Sequence, residues 1–226
     1  MTAAPARYRG VVFDFDGTLL DSMPLVLEGM ADVVSAYRPR PDRGEVMASL
    51  GGPSEACLRR LLGGEKHVAA ALARYVAFFT EHDELSRLFR GARPLLDALR
   101  RRGVHLGLWT GRERSLTSAR LRGLRLEGHF EALVCGDDLA SHKPDPAGLL
   151  HIVDAWGCRR GEVLFVGDSD QDFEGGTAAG VPLVAIRHDR MVSPALLAGA
   201  VAVVATPAAA YARVRRAVLG APARRR

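Results

Sequence analysis

The chain has 226 residues, a net charge of +5, 48% hydrophobic and 25% charged residues. That is long enough to bury a sizeable core without disulfide or metal staples, and the composition excludes disordered and fibrous classes. No uninterrupted apolar run approaches the roughly 18 residues of a membrane-spanning helix, so no membrane partner is expected.

The opening residues, 1–10, lack an apolar stretch before Arg7 and Arg9, so a secretory leader is not expected either. Cys57, Cys135 and Cys158 are far apart and form no C-x-x-C pair. They read as free thiols in a reducing compartment, with the cytoplasm as the expected location. Of the 31 basic residues 29 are arginine; the lysines are Lys66 and Lys143. The arginines are scattered along helical stretches apart from 100–102 and 224–226, which argues for a solvated face and against a nucleic-acid partner. Such a field can still steer anionic metabolites.

In chain order, apolar runs at 10–15, 104–109, 132–135, 162–166, 181–186 and 201–204 read as strands. Most are separated by helical spacing, as at 94–102, where Leu95, Leu96 and Leu99 share a face. Alternating strands and helices predict an α/β fold with a Rossmann-like parallel sheet core flanked by helices. Near-continuous Val/Leu/Ile runs suit strands buried on both faces. The rhythm breaks after the first strand. Helical stretches at 24–37, 43–50, 54–62 and 65–82, punctuated by Pro39, Pro41, Gly51-Gly52-Pro53 and Gly63-Gly64, predict a small all-helical insertion. Its connections are expected near 19–22 and 88–94. The predicted division is therefore a core of residues 1–20 and 90–226 and a helical unit of residues 21–89. A last helix at 207–219 precedes a tail expected to fray.

Four predicted strands carry polar clusters at one end: Asp14-Phe15-Asp16-Gly17-Thr18, Thr110-Gly111-Arg112, Ser141-His142-Lys143-Pro144 and Gly167-Asp168-Ser169-Asp170-Gln171-Asp172. Ligands of open α/β sheets bind beyond the carboxyl ends of strands, where all four would converge. Asp14, Asp16, Asp168 and Asp172 so gathered, against Lys143 alone, would repel by several kcal/mol or take up protons. A divalent cation resolves that conflict, and all-oxygen ligands point to Mg²⁺ sharing its shell with a phosphate. Gly17 at a tight turn, the Thr110 hydroxyl, the Gly111 amide and Lys143 suit the phosphoryl oxygens.

These four clusters, in order and over nearly the whole chain, resemble the motifs of the haloacid dehalogenase-like superfamily. The string Asp14 to Ser22 and Gly52-Pro53 are similar to its phosphoglycolate phosphatase-like branch, whose small helical cap occupies the place of the insertion. The resemblance implies a Mg²⁺-dependent phosphatase acting on a small phosphorylated metabolite, of phosphoglycolate or sugar-phosphate type. Asp14 would be the nucleophile that forms an aspartyl-phosphate, and Asp16 the general acid and base. Mg²⁺ would be held by Asp14, the Asp16 carbonyl and Asp168, with Asp172 behind them orienting metal waters or Lys143. Thr110, Gly111 and Lys143 would stabilise the transferring phosphoryl group.

Asp16 favours phosphoryl transfer over dehalogenation. A phosphomutase of the beta-phosphoglucomutase type is the alternative within enzymes, and a non-catalytic basic interaction module the alternative outside them. Arg112, where the branch more often has Asn, reads as an exposed helix-start arginine. His142 and His188 read as surface residues, Cys135 as buried and inert, Trp109 and Trp156 as core. The string 175–180 lacks the G-K-[ST] of a P-loop and reads as close helix packing. In the insertion, residues 51–54 with Arg59 or Arg60 are the first candidates for substrate contact, a turn and surface charges being the plainer reading. A monomer and a homodimer are both compatible with the sequence.

Overall fold

The computed structural model describes residues 8–50, 53–188 and 190–220. The chain start, Gly51-Gly52 and the terminal arginines, to which some of the expectations apply, lie outside the described residues. In chain order the strands are β1 (Gly10–Phe13), β2 (Leu20–Asp21), β3 (Arg87–Leu88), β4 (His105–Trp109), β5 (Ala132–Val134), β6 (Val163–Gly167), β7 (Leu183–Ile186) and β8 (Ala200–Val204). The α-helices are α1 (Met23–Ser35), α2 (Arg43–Ser49), α3 (Ser54–Leu62), α4 (Val68–Glu81), α5 (Ala92–Arg101), α6 (Arg114–Gly123), α7 (Ala147–Ala155), α8 (Asp170–Ala179), α9 (Pro194–Leu197) and α10 (Pro207–Val214).

All six predicted strands form, in one parallel sheet of order β5-β4-β1-β6-β7-β8. Alternation along the strands feeds two cores. Val11, Phe13, Leu164 and Val166 face a cluster closed by Leu95, Leu96 and Leu99 of α5 and Tyr211 and Val214 of α10. Val12, Val163 and Phe165 face the other, closed by Leu149 and Ile152 of α7 and Phe173 of α8. The result is three layers in which β1, β6 and β7 are buried on both faces, which is why they read as unbroken apolar runs, while β8 at the sheet edge leaves Val201 and Val203 exposed. The glycines at 175 and 176 serve packing, as expected: a Cβ at Gly175 would lie 2.6 Å from the Trp109 ring.

Helices α1 to α4 lie between β2 and β3 and build a core of their own, with Leu25, Met30, Val34, Leu58, Tyr75 and Phe79. Leu116 of α6 joins that cluster and ties it to the sheet unit. At the crossing points β2 and β3 pair as an antiparallel ribbon, Leu20 with Leu88 and Asp21 with Arg87. Two-residue strands carry no detectable period, so the sequence shows only connections there. β1 is also shorter than its apolar run. It stops at Phe13 because the chain then folds into a turn, with the Leu19 and Leu20 amides donating to the Phe15 carbonyl. Gly17 adopts φ +79° within it, a conformation open to glycine at little cost. The last helix likewise changes character, α10 running into a wider π turn over Arg215–Leu219.

Leu58 is fully buried at the centre of the inserted helices. Leu58→Ala is expected to cost about 2–5 kcal/mol, read as a lower urea midpoint with little change in slope.

Candidate active site

Each polar cluster starts where a parallel strand ends. Asp14 follows β1, Thr110 follows β4 and Asp168 follows β6, on strands that are sheet neighbours. Lys143 reaches the same point from the loop after β5. β1 lies between β4 and β6, so Asp14 sits centrally among these groups.

The central contact is an ion triple. Lys143 Nζ donates to Asp14 Oδ1 at 2.7 Å and to Asp172 Oδ1 at 2.6 Å. All three side chains are almost wholly buried, and the ammonium also lies 4.8 Å from the centre of the Trp109 ring. Burial alone would pull the Lys143 pKa down, but the two carboxylates outweigh it and hold the amine above its ordinary value. Burial pushes the Asp14 carboxyl well above the usual carboxylate range, against the pull of Lys143 and helped by Asp172 and Asp168.

Asp172 is satisfied on its other oxygen, which accepts from the Asp168 amide at 3.1 Å, the Ser169 amide at 2.9 Å and the Ser169 hydroxyl at 2.7 Å. Ser169 in turn caps α8 by accepting from the Asp172 amide. One buried carboxylate thus fixes both the Lys143 ammonium and the backbone that carries Asp168. Thr18 Oγ1 donates to Asp168 Oδ1 at 3.0 Å, and a Cβ on Gly17 would fall 2.2 Å from Asp168 Oδ2. The turn after β1 therefore packs directly on Asp168, and only a glycine leaves room. Burial raises the Asp168 pKa, with His188 and Thr18 opposing.

Three expectations need correction. The Gly17 amide does not face a phosphoryl oxygen: it donates to the Leu20 carbonyl at 2.8 Å and closes the turn after β1. Arg112 is not an exposed helix-start residue: it is buried, and its guanidinium forks onto Asp16. Nε donates to Asp16 Oδ2 at 2.9 Å and Nη2 to Oδ1, which also accepts from the Ser22 hydroxyl. The Arg112 amide donates to Thr110 Oγ1 at 3.2 Å. His188 is not simply a surface histidine either. Its Nε2 lies 3.4 Å from Asp168 Oδ2 and 3.0 Å from the Gly17 carbonyl, and the contact with Asp168 raises its pKa. Neither contact leaves a local pattern, because each joins residues far apart in the chain. Arg190, also passed over, donates to the Asp168 carbonyl and, at 3.2 Å, to Asp170. His142 is exposed, and Cys135 is buried with its pKa pushed up to about 12, so both behave as the sequence suggests.

A cavity of about 170 Å³ opens between these groups and the inserted helices. Asp14, Asp16, Thr110, Gly111, Arg112 and Lys143 line it from the sheet side, and Tyr75, Phe79 and Ser54 from the insertion. Glu113 bridges the two sides, accepting from the Ser54 amide at 3.1 Å and its hydroxyl at 3.0 Å. Arg59 instead pairs with Glu55 and Glu65, and Arg60 donates to the Ser49 carbonyl at 2.9 Å, so neither is among the residues lining the cavity.

Carboxylate oxygens of Asp14, Asp168 and Asp172 come within 4.8 Å of one another, a hard, all-oxygen donor set suited to Mg²⁺. Of the three, Asp172 is already spent on Lys143 and the Ser169 turn. The Asp16 carboxylate is turned to Arg112, leaving only its main-chain carbonyl for a metal. Among the described residues, no helix is long and apolar enough to cross a membrane.

Sheet order and an acidic mouth at its carboxyl edge define an α/β enzyme built around carboxylates and a buried lysine. Residues 11–186 match the model of the haloacid dehalogenase-like hydrolases, and the chain belongs to that family. It is 33% identical to a phosphoglycolate phosphatase of Thiobacillus denitrificans over 198 residues, covering 83% of this chain and 87% of that one. A phosphoglycolate phosphatase 1 of Pseudomonas aeruginosa is 31% identical over 189 residues, covering 80% and 70%. Among solved structures, a candidate beta-phosphoglucomutase of Thermotoga maritima superposes with a TM-score of 0.72 at 27% identity, over 92% of this chain and 98% of that one.

Lys143→Met would leave Asp14 and Asp172 buried without their cation. In metal-free buffer it is expected to cost about 3–5 kcal/mol in urea unfolding, far more than an exposed lysine would.

Proposed function

We propose that the protein is a Mg²⁺-dependent phosphatase that hydrolyses a small phosphomonoester, of phosphoglycolate or sugar-phosphate type, through an aspartyl-phosphate on Asp14. The observation that carries this reading is the position of Asp14, central among the strand ends, paired with Lys143 and open to the cavity.

An Asp14 oxygen attacks phosphorus in line, and the bond to the leaving oxygen breaks as Asp16 supplies that oxygen with a proton. Water then attacks the acyl phosphate while Asp16 takes its proton, releasing inorganic phosphate and restoring Asp14. In the present geometry Asp16 accepts from both Arg112 and Ser22. Its acid role therefore begins only once the Arg112 pair has parted. Lys143, the Thr110 hydroxyl and the Gly111 amide hold the phosphoryl oxygens as charge develops on them. Asp14, the Asp16 carbonyl and Asp168 would hold Mg²⁺, and Asp172 stands behind them, fixing Lys143 and the Asp168 backbone. Bound there, the ion offsets the negative charge gathered by carboxylates and phosphate.

We read residues 1–20 and 90–226 as the catalytic core and 21–89 as a cap that covers the substrate and limits water. The Glu113–Ser54 contact and the Leu116 packing supply its closed position. Three cysteines, all free thiols, suit a reducing, cytoplasmic setting. A phosphomutase would use the same aspartyl-phosphate and pass it to a second hydroxyl, and the likeness to the Thermotoga structure favours keeping that reading. Product analysis separates them: free phosphate without isomerised sugar supports hydrolysis. A non-catalytic interaction module finds no support in so complete a set of acids and lysine.

Asp14→Asn is expected to fold normally and lose essentially all phosphate release from small phosphomonoesters. Wild-type-like rates from it would remove Asp14 as the nucleophile. A chelator is expected to abolish turnover of the wild type, and added Mg²⁺ to restore it.

A further inference from the structure

Two cations line the cavity, and they are placed differently. Lys143 is engaged with Asp14 and Asp172 at the phosphoryl end. Arg112 lies where the inserted helices meet the sheet unit, its guanidinium carbon 4.9 Å from the Phe79 ring centre and 5.6 Å from that of Phe15. It spends Nε and one Nη2 donor on Asp16, while Nη1 makes no hydrogen bond to any described residue. A guanidinium held between aromatic rings, with donors unspent toward a small cavity, is a ready fork for a planar carboxylate.

We propose that Arg112 is a specificity-determining residue that binds a carboxylate on the leaving group, so that the preferred substrates are short phosphorylated hydroxy acids. This rests on the phosphatase reading of the site and narrows its substrate class. Three observations converge on it. The cavity, at about 170 Å³, has room for a small ester alongside the groups that take the phosphoryl end. Met23, Val26, Met30 and Leu116 line it as apolar groups and Ser22, Ser54, Tyr75 and Gln171 as neutral polar ones, so Arg112 is the cation that this lining offers an anionic leaving group apart from Lys143. Asp16, the group assigned to the leaving oxygen, is already bound to Arg112 by a carboxylate fork.

A substrate carboxylate close to the ester oxygen therefore offers Arg112 the same kind of partner that Asp16 gives it between turnovers. Exchange of one carboxylate for the other draws the guanidinium from Asp16 and frees Asp16 beside the leaving oxygen. An ester without the anion leaves Asp16 held by Arg112. Discrimination then acts on the chemical step as well as on binding.

The test compares 2-phosphoglycolate with 2-hydroxyethyl phosphate, which is of similar size and carries a neutral hydroxymethyl group in place of the carboxylate. The wild type is expected to favour the anionic ester in kcat/KM by roughly tenfold to a hundredfold, the scale of a charged hydrogen-bonded pair. In Arg112→Gln the ratio of the two kcat/KM values is expected to fall at least tenfold, and Arg112→Lys, which keeps charge without the fork, to fall between. A purely structural Arg112, needed only to place Asp16, would lower both esters together and leave the ratio unchanged; that result overturns the proposal. So does a wild type that hydrolyses both esters equally well, a readout that needs no folded variant. Release of phosphate from sugar phosphates but from neither ester overturns this inference alone, and release from none of them overturns the phosphatase reading with it.

Discussion

A lysine ammonium held between two buried carboxylates is the constraint on which the rest of the site depends. Ordinarily a buried lysine is costly, and so is a buried pair of aspartates; here each offsets part of the other's penalty. Asp172 sits at the start of α8 and cannot move without unfastening the Ser169 cap. Lys143 is thereby fixed, and through it the orientation of Asp14. Net negative charge remains once Asp168 is counted, which is why the same geometry favours a divalent cation and, once that charge is offset, accommodates a phosphoryl group. The sheet supplies the precision: three of the four groups follow neighbouring parallel strands whose registers are set by unbroken ladders.

A second layer of charge surrounds the first. Asp16 answers to Arg112 and Ser22, Asp168 to Thr18 and His188, and the Asp168 backbone to Arg190. These contacts come from the turn after β1, the loop after β4 and the loop after β7, so the site is assembled from the whole sheet edge. Glu113, one residue beyond Arg112, fastens the inserted helices at Ser54. Neighbouring residues of one loop thus face the substrate cavity and the insertion that covers it.

Much of this was legible in the sequence because the physics involved is local. Doubly buried strands write themselves as apolar runs, and the helices of the insertion carry their own period and punctuation. The acidic clusters stood at strand ends, where the topology of parallel sheets gathers them. What escaped notice was long-range pairing. Arg112 meets Asp16 across 96 positions, and His188 meets Gly17 across 171. An arginine at a helix start looks the same whether it faces water or a carboxylate brought in by another strand. The β2–β3 ribbon escaped for a different reason, since two residues are too few to show alternation.

A crystal structure grown with Mg²⁺ and beryllofluoride, a mimic of a carboxylate-bound phosphoryl group, tests the account most directly. It predicts the beryllium on an Asp14 oxygen, with fluorines toward Lys143 and Thr110 and the metal touching Asp14 and Asp168. An Asp14 still paired to Lys143 as here, with both ligands absent or bound elsewhere on the protein, would contradict it.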